Sequence, residues 1–65
     1  MKPKFGRGDQ LKVKGRKGTH MVSYPMVVPV PTIADGQFVM VDTPIYKFNA
    51  DSKDTFFAYE KDCTK

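Results

Sequence analysis

No stretch of this 65-residue chain repeats apolar residues at helical spacing over the length a helix needs, and that absence constrains the fold more than any other feature. What the chain has instead is alternation, in short runs cut by glycine, proline and Asx residues. Leu11 and Val13 alternate with Gln10, Lys12 and Lys14, the period of two expected of a strand with one buried and one wet face. Residues 19–28, THMVSYPMVV, read as a second strand. Asp35 and Gly36 form a turn signal, and QFVMVDT after it reads as a third strand with Phe38 and Met40 on one face and Val39 and Val41 on the other. Both of its faces are apolar, so it is expected to be the central strand. Residues 45–48 and 55–59 supply two more. The pattern predicts an all-β barrel of about five short antiparallel strands.

Proline and glycine set the punctuation. Gly15 and Gly18 bracket Arg16 and Lys17 as a cationic turn, because glycine reaches the positive φ angles that tight turns need. Pro25 cannot donate a ladder hydrogen bond, so the second strand must lie at an edge or bulge there. VPVPT, residues 28–32, is expected to be extended and polyproline-like, and Thr43 with Pro44 is expected to end the third strand. Arg7, Gly8 and Asp9 spell a cell-adhesion tripeptide but read better as a turn, with Asp9 capping the entry to the first strand. The expected organisation is a flexible basic tail over residues 1–4, one small domain over 5–60 with Phe5 at one end of its core, and a polar tail over 61–65, with one 3₁₀ turn expected in EKDCTK, residues 60–65.

A chain this short is a single domain whose core is marginal. Cys63 is its one cysteine, so no internal disulfide is possible; the thiol is expected to be exposed or partly packed, and no zinc signature accompanies it. No apolar run reaches a membrane span, and residues 1–10 lack the apolar segment of a signal peptide. A soluble, cytoplasmic protein that does not bind a membrane is expected.

The opening FGRGDQLKVKGRKG resembles small SH3-like barrels, whose first strand enters through a glycine and an aspartate, here Gly8 and Asp9, followed by alternating apolar residues, here Leu11 and Val13. The same shape occurs in KOW-type nucleic-acid modules, in small basic chromatin proteins of archaea and in plasmid-borne trimethoprim-resistant dihydrofolate reductases. The resemblance covers about a quarter of the chain and implies an SH3-like barrel. The strand motif from which the reductases build their pore is missing, and residues 25–31 depart from the KOW pattern, so the resemblance carries a fold and not an activity.

Charge is distributed unevenly. Net charge is +4, yet residues 1–20 carry seven cations against Asp9 alone, a local +6, and residues 21–65 carry a net −2. A polyanion would therefore meet Lys12, Lys14, Arg16 and Lys17 on the first hairpin, with Lys2, Lys4 and Arg7 as a clamp from the tail. DNA or RNA binding through these seven residues is the leading expectation. Aromatic platforms would favour single strands; Phe56 and Phe57 are adjacent and cannot both enter one core, and Tyr24, Tyr46 and Tyr59 are further candidates for exposure.

Residues 21–34 support a different reading, because they contain no charged side chain. Tyr24, Met26, Val28, Val30 and Ile33 would form an adaptable apolar surface for docking on another protein, such as a larger host complex inhibited or adapted by a small phage- or plasmid-type accessory protein, or on a second copy of the chain. No enzymatic site is expected. His20 is the one histidine, without spacing that pairs it to Ser23 or Cys63, and no cofactor, metal-ligand or phosphate-loop signature occurs.

Overall fold

The computed structural model describes residues 2–65; Met1, counted above in the basic tail, lies outside them. Five antiparallel strands form one sheet: β1 Gln10–Val13, β2 Thr19–Ala34, β3 Gln37–Phe48, β4 Phe56–Tyr59 and β5 Cys63–Thr64, in the spatial order β4-β3-β2-β1-β5. A 3₁₀ turn over Glu60–Asp62 links β4 to β5. The protein is all-β, as the alternation predicts. Among the described residues no ladder joins β4 to β5, and the sheet is not closed. The C-terminal residues expected as a polar tail supply the predicted 3₁₀ turn and also the last strand, which pairs through Cys63 and Thr64 with Val13 and Lys12.

Two of the strands are far longer than the sequence suggests. β2 passes Pro25 as a sheet edge beside a bulge, as expected, but then continues as a paired strand through the whole VPVPT segment, and β3 runs through Thr43 and Pro44, where it was expected to end. The register explains why. Beyond a bulge between Val22 and Tyr24, β2 and β3 pair without interruption to Ala34 and Gln37, and Pro25, Pro29, Pro31 and Pro44 all fall on one alternate set of pairs. In an antiparallel ladder every second pair turns its N–H and C=O groups away from the neighbouring strand, and a proline there costs that ladder no hydrogen bond. The turn agrees: Asp35 and Gly36 have φ of 52° and 77°, the signs of a two-residue type I′ hairpin whose flanking pair, Ala34 and Gln37, is hydrogen-bonded.

The molecule therefore has two parts. A small body gathers Leu11, Val13, Val22, Tyr46, Phe48 and Cys63 into a buried cluster, with Phe5, Phe56 and Ala58 packed against it. From it the β2–β3 ribbon projects as an arm. The long axis measures 39 Å against 22 Å for the other two, and the radius of gyration of 13.0 Å exceeds the roughly 11 Å of a compact chain this long. β3 lies between β2 and β4 but is not the buried central strand its apolar faces suggested. Its residues 37–42 are all exposed.

Candidate interaction surfaces

On an antiparallel sheet, directly paired residues share a face. One face of the ribbon carries Met26 opposite Ile45, Val28 opposite Thr43, Val30 opposite Val41 and Thr32 opposite Val39. β4 extends that face sideways, with Tyr59 opposite Ile45 and Phe57 opposite Lys47. The result is an apolar surface across three strands, on which Tyr24, Val39, Val41, Phe57 and Tyr59 are all exposed. Lys47 is the one charge among its strand residues; the ammonium stands 5.8 Å from the Tyr24 ring and 5.9 Å from the Phe57 ring, and Arg7 and Lys61 approach the Tyr24 and Tyr59 rings at its margins, so cations are held against aromatic faces.

The opposite face is the one that enters the core through Tyr46 and Phe48, and near the tip it too emerges into solvent. There Ile33 pairs with Phe38 and Pro31 with Met40; Phe38 is 78 % exposed, Ile33 67 % and Met40 62 %. Of the five apolar residues singled out in the sequence, Tyr24, Met26, Val28 and Val30 thus share the outer face, and Ile33 lies on the other. Val41, Ile45, Phe57 and Tyr59 complete the outer face and come from strands outside the uncharged segment. The period of two was the available signal, but it could not say that β4 would lie beside β3.

The basic residues do not form one surface. Lys12 and Lys14 flank a shallow depression on the β1–β5 side together with Lys61, a cation from the C-terminal half. Arg16 turns the other way. Its guanidinium lies 3.6 Å from the Phe56 ring centroid and 3.5 Å from Asp54, and Phe56 in turn stacks on Phe48 at 4.9 Å. Arg7 lies 5.8 Å from the Tyr24 ring. Lys17 is exposed, and its carbonyl lies 3.2 Å from His20 Nε2. Lys2 and Lys4 are exposed, and the Lys4 backbone N–H donates to Glu60 at 2.8 Å. The acidic C-terminal half does fold against the basic half, most directly at the Arg16–Asp54 pair.

The remaining polar groups are absorbed by the fold. Tyr46, a candidate for exposure, is fully buried; its hydroxyl accepts the Phe5 N–H at 3.1 Å and donates to Glu60 at 2.6 Å. Burial, and next the hydrogen bond to the Glu60 carboxylate, push its pKa up to about 12. The Lys4 N–H, and then the Tyr46 hydroxyl, hold Glu60 below the usual carboxylate value. Cys63 is a core residue, not an exposed thiol: burial, then Asp62 and Glu60, raise its pKa, opposite to the shift that makes a reactive thiolate. Ser23 Oγ accepts the Ala50 N–H, and both His20 ring nitrogens lie within hydrogen-bonding distance of Lys17 O and Asn49 Nδ2. Asp9 accepts the Gly6 N–H and Gly8 has φ of 93°, so the Arg-Gly-Asp tripeptide is a turn. Phe57 is exposed while Phe56 packs inward, as their adjacency required. Among the described residues no group of three or more metal-ligating side chains converges, and no helix is long and apolar enough to cross a membrane.

No family model, no curated protein and no solved structure matches this chain.

Proposed function

We propose that this chain is a non-enzymatic protein-binding module that docks through the outer face of its β2–β3–β4 sheet, of the kind that adapts or inhibits a larger complex. One observation carries the reading. The outer face offers Tyr24, Met26, Val28, Val30, Val41 and Phe57 on one continuous surface with one cation, Lys47, among its strand residues and Arg7 and Lys61 at its margins, in a protein whose body has few apolar side chains to bury. Exposed aromatic, methionine and β-branched side chains on a rigid sheet are what a protein interface core uses. The prolines add to this by limiting the conformations the free arm would lose on binding.

A second reading, DNA or RNA binding, is favoured by the Lys12–Lys14–Lys61 cluster at the β1–β5 side. It is the weaker one, because Arg16 is already paired with Asp54 and the arm carries Asp35 and Asp42 and no cation between residues 21 and 46. Two variants separate them. Val28→Lys places a charge in the middle of the outer face, and a triple Lys12→Glu, Lys14→Glu, Lys61→Glu reverses the basic cluster. Retention of one cell-extract protein on immobilised wild type and triple variant, but not on Val28→Lys, supports the module. Oligonucleotide binding that weakens steeply with salt and disappears in the triple variant supports the second reading. Retention that Val28→Lys leaves unchanged sinks the first.

A further inference from the structure

The two long edges of the arm are built differently. On β2 the residues whose backbone groups turn away from β3 are Pro25, Val27, Pro29, Pro31 and Ile33, so three of the five donors that a neighbouring strand would need are missing. That edge is closed to strand addition. On β3 the outward residues of the arm are Phe38, Met40, Asp42 and Pro44, and the first three each present an N–H and a C=O with no strand beside them among the described residues. β4 pairs with β3 only over residues 45–48, so this open edge starts at the hairpin tip and stops where β4 begins.

We propose that the open β3 edge pairs with the same edge of a second copy, forming an antiparallel dimer about a two-fold axis at Met40. The arrangement of the edge selects this occupant. Gly36 of the turn and Pro44 stand equally far from Met40, so the usable run is symmetric about it. A two-fold there opposes Phe38 with Asp42 of the second copy and Met40 with Met40 of the second copy. Each such pair exchanges two hydrogen bonds, and every free donor and acceptor of the run is used. On the outer face the same register sets Val39 against Val41 of the second copy, a favourable β-branched pair.

Neighbouring registers use fewer bonds. An axis at Val39 sets Asp42 against Gly36 in the turn of the second copy, and an axis at Val41 sets Phe38 against Pro44 of the second copy, which has no N–H, so each keeps two full pairs instead of three. Centring the axis on Asp42 brings two carboxylates face to face, and centring it on Phe38 runs Asp42 past the turn of the second copy. With the axis at Met40 the two Asp42 carboxylates stand about 14 Å apart along the strands, beyond a screening length of about 8 Å at physiological salt. The inference rests on the arm being the docking element, but it uses the edge, whereas the module proposed above uses the outer face.

The decisive variant is Met40→Pro. Its nitrogen faces away from β2, where the chain already tolerates four prolines, so the β2–β3 ladder keeps its hydrogen bonds. The dimer, however, loses both bonds of its central pair. Sedimentation equilibrium over a concentration series is expected to show a monomer–dimer equilibrium for the wild type. Met40→Pro should raise the dissociation constant about tenfold or more. Met40→Thr, which keeps the N–H, and Val28→Lys, which alters the outer face, should both leave it within about threefold. Amide exchange at Phe38, Met40 and Asp42 in the wild type, measured by NMR at low and high concentration, is expected to slow as the dimer forms, and needs no variant to fold. A wild type that stays monomeric with those three amides exchanging freely at high concentration overturns the inference. So does a dimer that Met40→Pro leaves intact, or protection that appears only when a different protein is added. Loss of extract-protein retention in Val28→Lys with self-association intact keeps the two proposals separately testable.

Discussion

The body and the arm share two strands, yet the same β2 and β3 obey opposite rules at their two ends. In the body, Val22, Tyr46 and Phe48 are fully buried because β1, β4 and the 3₁₀ turn fold over them. Some eight residues further along the same ladder, Ile33 and Phe38 stand in water. Apolar character does not separate the ends, since Val22, Tyr46 and Phe48 at the base are matched by Ile33, Phe38, Val39, Met40 and Val41 at the tip. What differs is the company each keeps: β1 and β4 are four residues long and cover only the base of the ribbon. An apolar strand is a core strand only for as long as its neighbours last.

That contrast sets the size of what substitution should do. The largest effect belongs to Phe48, which is fully buried between Tyr46 and the stacked ring of Phe56. Phe48→Ala is expected to cost about 3–5 kcal/mol, comparable to the whole stability such a small core supplies. Circular dichroism should find the variant largely unfolded at room temperature. A folded variant losing less than about 1 kcal/mol would show that Phe48 does not hold the body together.

Next comes the polar link at the base. Tyr46→Phe keeps the ring but removes the acceptor of the Phe5 N–H and the donor to Glu60, a loss of about 1–3 kcal/mol in denaturant unfolding. The same link predicts a pH window. Glu60 has a folded pKa below its ordinary value near 4.5, so its contribution is present above that value and is lost as pH falls through the lower folded one. Tyr46 has a raised pKa, so its contribution is present below 10.0 and is lost as pH rises toward about 12. Cys63, raised from 9.0, begins to lose its contribution above that value, so these groups leave stability flat only between about 4.5 and 9.0, and Glu60→Gln should blunt the acid limb. An acid midpoint that Glu60→Gln does not move would detach Glu60 from the stability of the body.

The sequence revealed the all-β class, the Asp35-Gly36 turn, the turn at Gly8, the 3₁₀ turn near the C-terminus and the inward side of β1 at Leu11 and Val13. Each of these depends on residues adjacent in sequence. The arm was hidden because proline has two meanings in a strand. It breaks a ladder when its nitrogen points at the neighbour and is silent when it points away, and only the register with β3 decides which. Even so, the even spacing of Pro25, Pro29 and Pro31 was visible, and it was the signal that one long strand could carry all three. The surroundings of the basic residues were hidden for a related reason: Arg16 belongs to the cationic turn in sequence, but β4 and the loop before it bring Phe56 and Asp54 to it in space. Tyr46 and Tyr24 look alike in sequence, and only the fold distinguishes the buried one from the exposed one.

The smallest expected effect is the sharpest test of the comparison. Phe38→Ser and Ile33→Ser change the two most exposed large apolar side chains of the arm, and each is expected to shift stability by no more than about 0.5 kcal/mol. The measurement is denaturant unfolding at dilute protein, where the arm stands alone. At the body a phenylalanine of the same size holds the fold; here its side chain contacts mainly water, so removing it leaves no cavity and strands no partner. A loss above about 1.5 kcal/mol at either position would mean that the tip is packed against something even at low concentration. The boundary between body and arm would then lie further along the ribbon than the burial pattern puts it. A small effect at both positions, beside unfolding in Phe48→Ala, would establish that the apolar character of the tip does not serve folding and is free to serve an interface.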